Sequence, residues 1–186
     1  MKRGSWARNA DTALAAVGLL WLVFLADKIL PADLCGLGIR PRQASGVAGI
    51  LFCPFLHANL AHLAANSVAL FVLLTLSLSL GRGLTLEVVL LTAAIGGFLV
   101  WLLGASGAVY VGASGVIFGL IGFLLALSLF RMAIRPVLVS LVVFALYGGS
   151  LLTLFRNQPG VSWLAHASGF VAGVIAAWRM RNAPAH

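Results

Sequence analysis

Six long apolar runs, separated by short breaks rich in Arg, Gly or Pro, make up most of this chain. The first is about Thr12–Leu30, with Asp27 and Lys28 near its end and Pro31 stopping it. A Gly- and Pro-rich connection over 31–54 follows, carrying Arg40 and Arg42. Its apolar last part, Val47–Phe55, suits a segment lying in a membrane interface rather than crossing it. The second run is about Leu56–Leu80, and Gly81-Arg82-Gly83 turns the chain into a third, about Thr85–Leu103. A polar loop over 104–113 leads to the fourth, Ser114–Phe130, closed by Arg131. The fifth is about Pro136–Phe155, ended by Arg156-Asn157-Gln158-Pro159-Gly160, and the sixth about Val161–Met180. These runs approach or exceed the roughly 18 apolar residues that span a bilayer. The pattern predicts an all-α, polytopic membrane protein of six transmembrane helices, one domain over residues 1–186. No cleavable signal peptide and no separate soluble domain are expected.

Composition agrees: the chain is 62% hydrophobic and 9% charged, outside the range of soluble domains. A net charge of +8 would suit nucleic acid, but its distribution points to the lipid bilayer instead. Six spans put both termini on one side. That side carries Lys2, Arg3, Arg8, Arg82, Arg131, Arg135, Arg179 and Arg181; the other has only Lys28, Arg40, Arg42 and Arg156. The excess predicts cytoplasmic termini in a cell (inner) membrane, with the first loop and the loop before Ser114 facing outward. Tyr110 and Trp163 then fall near the outer interface, Trp6 and Trp178 near the inner one. Cys35 and Cys53 lie on the outer side, where a disulfide and two free thiols are both compatible with the sequence.

Helix rise converts sequence distance into depth. Measured from the basic residue closing each span, Ser114 lies about 26 Å above the inner boundary, Asn66 about 24 Å, His166 about 20–23 Å and His62 about 30 Å. Four polar side chains from three spans thus share a level a little below the outer boundary. Polar groups at that depth face the bundle interior or a water-filled cavity. Each alone is accounted for by a bond to a neighbouring helix, and Ser114 alone by an N-cap role. Together they suggest chemistry. His62 and Asn66 are four apart, on one helix face; His57 fits that face less well and suits the outer loop or the helix start. Gly112 and Gly115 leave Ser114 approachable, and the first amides of a helix suit a developing oxyanion.

A Ser beside a His is the smallest nucleophile–base pair. The four acids, Asp11, Asp27, Asp33 and Glu87, all fall at the membrane faces, so no carboxylate is expected to orient His166 and a dyad results. Gly112-Ala113-Ser114-Gly115-Val116 is not a Gly-x-Ser-x-Gly elbow. Zinc held by His57, His62 and His166 would lack an acid or Cys at that depth and a His-Glu-x-x-His motif; no metal and no cofactor is expected.

His57-x4-His62-Leu-Ala-Ala-Asn66, Gly112-Ala113-Ser114-Gly115 and Ala165-His166-x2-Gly169-x3-Gly173, in this order, resemble the rhomboid family of intramembrane serine proteases in its minimal six-span bacterial form. The resemblance covers nearly the whole chain. It implies Ser114 as nucleophile and His166 as general base and acid. It implies His62, Asn66 and the Ser114 amide as the oxyanion hole, and transmembrane segments of other proteins as substrates, cut near their outer ends. Gly169 and Gly173 are expected to let the sixth span pack closely on the fourth, at Gly115, Gly119 and Gly122. Two departures stand out. Ala48-Gly49 occupies the place where many members have Trp-Arg in the first outer loop, which puts that loop's anchoring in question. Phe118 stands where some have Tyr, and is expected to pack on His166 without a phenol hydroxyl. Other readings are a catalytically inactive relative that binds transmembrane helices, a rhombosortase-like processor of C-terminal sorting tails, and a small transporter. The last lacks a strong internal repeat and an intramembrane acid. Gly148-Gly149, about 20 Å up the fifth span, are either close-packing residues or the hinge of a lateral gate over Gly148–Phe155.

Overall fold

A computed structural model describes residues 4–154 and 162–182. The described chain is mostly helical: α1 Ser5–Ile29, α2 Gly49–Phe52, α3 Leu60–Leu80, α4 Arg82–Leu91, α5 Gly97–Leu103, α6 Ser114–Arg131, α7 Ile134–Tyr147 and α8 Trp163–Arg179. A π-helical turn, Thr92–Gly96, joins α4 to α5 into one span. A 3-10 segment, Gly148–Leu154, prolongs α7. Five spans are long and apolar enough to cross a membrane: Ser5–Ile29, Leu60–Leu80, Arg82–Leu103, Ser114–Arg131 and Ile134–Leu154. The sixth, α8, has 17 residues and a rise of about 26 Å, and packs along α6. The protein is a helical, polytopic membrane bundle.

The boundaries shift for local reasons. α1 starts at Ser5 rather than Thr12. α3 starts at Leu60 rather than Leu56, because the Asn59 side chain accepts the His62 backbone N–H at 2.9 Å and sets the helix origin there. The third span begins at Arg82 rather than Thr85, straight after Gly81. Pro136 sits in the first turn of α7, where a missing N–H costs nothing, so that helix starts two residues earlier, at Ile134. The Ser162 hydroxyl accepts from the Ala165 amide at 3.1 Å and starts α8 at Trp163. The expected limits Phe155 and Val161, and the Arg156–Gly160 break between them, lie outside the described residues.

α6 is apolar on every side and runs through the centre, with Leu120, Phe123, Leu124 and Leu127 fully buried. Its partner is α8, and the two run parallel with their backbones in contact. A side chain at Gly169 would strike the Gly115 carbonyl, and one at Gly173 the Gly119 carbonyl; the glycines let the axes approach this closely. Gly122 likewise abuts Phe170 backbone. Gly119 also faces a third element: a Cβ there would overlap Thr92 of the π turn. Thr92 bonds back to the Val88 carbonyl at 2.8 Å, which leaves its methyl and Cβ against α6.

α1 is peripheral, tied to α3 by Trp21 Nε1–H donating to Ser67 Oγ at 3.0 Å. At one end of the bundle the basic groups gather. Arg82 donates to the Arg8 carbonyl at 3.2 Å, Arg131 caps α8 through the Met180 carbonyl at 2.6 Å, and Arg179 lies 3.5 Å from Glu87.

The loop between α1 and α3 is fastened at the opposite end without Trp-Arg. Ile39 and Tyr110 exchange backbone bonds at 3.0 and 2.9 Å. Arg42 donates to the Leu102 and Gly104 carbonyls at 3.0 and 2.8 Å, satisfying the C-terminus of α5. Gly49 lies directly on the Gly38–Ile39 backbone, so any side chain there would push the loop apart. Val47, Leu51 and Phe52 are exposed, as an interfacial segment requires.

Candidate active site

Ser114 is the first residue of α6, not its cap. Ala113 holds the N-cap position, and no side-chain capping bond is made. The commonplace role for such a Ser is therefore absent, and its amide is among the first of the helix, which have no intrahelical acceptor. The loop reaches this point through Gly112, whose φ of +120° disfavours any side chain. A Cβ at Gly112 would lie 2.6 Å from His62 Cε1 and 3.5 Å from Asn66 Nδ2, so the backbone entering Ser114 passes directly against both side chains. Cys53 holds the loop there: its carbonyl accepts the Gly112 amide at 2.9 Å and its thiol points at the Gly112 carbonyl at 3.7 Å. Both cysteines are free thiols, and burial pushes that of Cys53 up to about 12.

His57 lies closer to the candidate site than the spacing suggested, against Asn66. Its Nε2 lies 3.0 Å from Asn66 Nδ2 and its Nδ1 3.4 Å from the Phe55 carbonyl. This pairing requires the tautomer with hydrogen on Nδ1: Nδ1–H donates to Phe55, and Nε2 accepts from Asn66. Both ring nitrogens are thereby engaged, and the Asn66 amide is turned with its NH2 toward the loop before Ser114. His57 precedes the α3 span and is buried. That burial, with the neighbouring His62 ring 5.1 Å away, lowers its pKa to about 4 and keeps it neutral.

His166 is buried on α8, with its ring stacked on Phe118 at 4.0 Å between centroids and 12° between planes. Phe118 is one turn below Ser114 on α6, so the stack carries the imidazole to the helix face that begins at Ser114. Gly169, one turn below His166, rests on Gly115, which fixes the register of the two helices. Gly115 itself is roomier than expected: a Cβ there would meet only the Ala165 carbonyl, at 3.7 Å. Ser114, His166, His62 and Asn66 all line one cavity of about 1160 Å³. No acid lines it. His166 Nδ1 pairs at 3.1 Å with Thr153 Oγ1, a residue the sequence did not single out.

Among the described residues, the one group of acid and Cys ligand atoms close enough to share a metal ion is Asp27, Asp33 and Cys35, away from this cavity and with Lys28 paired to Asp27 at 2.9 Å.

The fold and this constellation define a class, and comparison with known proteins agrees. The family model of the Rhomboid domain matches residues 44–183. Uncharacterized proteins of Mycobacterium tuberculosis and Mycobacterium bovis are each 40% identical over 185 residues, covering 95% of this chain and 77% of theirs. The candidate rhomboid protease YdcA of Bacillus subtilis is 32% identical over 170 residues, 87% of this chain and 83% of its own. The chain belongs to the rhomboid family of multi-pass membrane proteins.

Proposed function

We propose that this protein is an intramembrane serine endopeptidase that cuts transmembrane segments of membrane proteins near their outer ends, with Ser114 and His166 as its catalytic dyad. The observation that carries the reading is the opening of both residues on one cavity, from two helices held in backbone contact, with Asn66 and His62 facing the Gly112 loop. Ser114 Oγ attacks the scissile carbonyl carbon while His166 takes its proton. The oxyanion so formed is met by the Ser114 amide, the Asn66 NH2 and His62. Collapse breaks the C–N bond, and the proton on His166 goes to the leaving amine. Water then attacks the acyl-Ser114 ester, giving its proton to His166, and the second product leaves as Ser114 recovers its hydroxyl. Neither metal nor cofactor enters these steps. The gathering of Arg8, Arg82, Arg131 and Arg179 at one end supports an orientation with both termini in the cytoplasm and the cavity opening outward.

The test is labelling of the detergent-solubilised protein with a fluorophosphonate, alongside cleavage of a transmembrane substrate. Ser114→Ala is expected to abolish both, and His166→Ala to reduce both to background. Asn66→Ala and His62→Ala should each slow turnover about 10²–10³-fold with substrate binding retained. Labelling of Ser114→Ala equal to wild type would remove Ser114 from the chemistry.

A further inference from the structure

The absence of a carboxylate leaves open what orients His166, and the Thr153 hydroxyl lies against its ring. Thr153 Oγ1 stands 2.7 Å from the Ser150 carbonyl and 3.1 Å from His166 Nδ1. A hydroxyl has one proton, and a carbonyl can only accept, so that proton goes to Ser150. Toward the imidazole, Oγ1 is then an acceptor. Nδ1 carries the hydrogen, and Nε2 is left with its lone pair.

We propose that Thr153 is the positioning residue of the site: it fixes the tautomer and the ring flip of His166, in the place that a carboxylate takes in a Ser–His–Asp triad. The inference rests on the reading of His166 as the base. Two constraints of different kinds act on the ring. Stacking on Phe118 sets its plane but is indifferent to a half-turn that exchanges Nδ1 with Cδ2. The bond to Thr153 distinguishes the two faces, because a C–H in place of Nδ1–H leaves the hydroxyl without its donor. A neutral acceptor also suits the location. A carboxylate below the membrane surface is costly, whereas a hydroxyl whose proton is already used by its own backbone is not.

Thr153 belongs to the Gly148–Leu154 segment rather than to the α6–α8 pair. Outward movement of that segment breaks the bond to Nδ1. The base is therefore fully set only with the segment closed against α8.

The experiment compares Thr153→Val, which keeps the shape and loses the acceptor, with Thr153→Ser, which keeps the oxygen. Each is purified, checked for thermal stability, and assayed for kcat and KM on a transmembrane substrate. The 15N spectrum of histidine-labelled protein reads the His166 tautomer, assigned by its loss in His166→Ala. Thr153→Val is expected to lower kcat about tenfold, the equivalent of one hydrogen bond, with KM little changed. Thr153→Ser should restore it. The wild-type spectrum should show Nδ1–H with unprotonated Nε2 at His166, and Thr153→Val a mixture of tautomers. Wild-type kcat in Thr153→Val, equal loss in Val and Ser variants, or an Nε2–H tautomer in the wild type would each overturn the proposal. If Thr153→Val does not fold, the wild-type tautomer and the Ser variant still decide. Failure of the dyad itself is distinguishable: Ser114→Ala would stay active, whatever the spectrum of His166 shows.

Discussion

Some 67% of the α6 span is buried inside the bundle, against 11% of an apolar 18-residue stretch of the span formed by α7 and its 3-10 extension. Both regions touch His166. α6 does so through Phe118 and through glycine contacts that bring two backbones together; the C-terminal end of the fifth span does so through one hydroxyl. Packing of the first kind has two arrangements at most, seated or broken, because backbone cannot yield as a side chain can. A single hydrogen bond on a lightly packed segment opens at little cost. The comparison teaches a division of labour. In the proposed function, one half would fix where nucleophile and base stand, and the other half would open to admit a transmembrane substrate from the side.

The largest expected effect comes from breaking the fixed half. Gly169→Leu drives a side chain into the Gly115 backbone, and overpacking of this kind costs about 1–3 kcal/mol even where neighbours adjust. Its thermal unfolding midpoint should fall sharply and proteolysis should disappear. Gly115→Ala is the control within the same seam: with only the Ala165 carbonyl at 3.7 Å, its midpoint should stay level or rise. Equal destabilisation by both would mean that the seam is not held by backbone contact at Gly169.

A smaller effect should follow from stiffening the movable half. Nothing lies within 4 Å of a Cβ at Gly149, and one at Gly148 comes nearest to the Phe144 ring, in ordinary contact at 3.4 Å. Close packing therefore does not explain these glycines, and the helix tightens to 3-10 geometry from Gly148 onward, as hinges often do. Gly148→Ala with Gly149→Ala should favour helix by about 0.5–1 kcal/mol per site. Cleavage of a transmembrane substrate should slow by up to about 5–30-fold, and reaction with a small fluorophosphonate much less. Equal slowing of the two would take the gating role away from this segment.

The smallest effect concerns the bond from His57, which precedes the α3 span, to Asn66. A histidine with a folded pKa near 4 against an unfolded value of 6.5 binds its proton more readily when unfolded. Its contribution to stability is therefore complete above pH 6.5 and is lost as pH falls toward 4. Between pH 7.5 and 5.5 this amounts to on the order of 1 kcal/mol. His57→Gln, which does not titrate, should show a flatter loss of thermal stability over that interval; an identical slope would separate His57 from the acid sensitivity.

Apolar run lengths, the basic breaks and the spacing of His57, His62, Asn66, Ser114 and His166 were legible in the sequence because lipid imposes length and depth on each span separately. The family followed from the same motifs. The anchoring of the outer loop was not legible. Arg42 reaches Leu102 and Gly104 some sixty residues away, and Gly49 replaces a bulky anchor by lying on Gly38 backbone, a contact that no local pattern encodes.

By itself, then, the sequence determined which residues stand at one level of the membrane, since a helix converts residue number into depth at a fixed rise. It could not determine rotation about each helix axis or which neighbour each face meets. Those depend on how glycine surfaces of α6 and α8 interlock and on where the fifth span comes to rest. Only the tertiary structure turned Asn66 by way of His57, left Gly115 roomy while closing Gly169, and brought Thr153 to His166. A lone Thr in an apolar run carries no signal until a second helix, more than ten residues further on, presents a ring nitrogen to it.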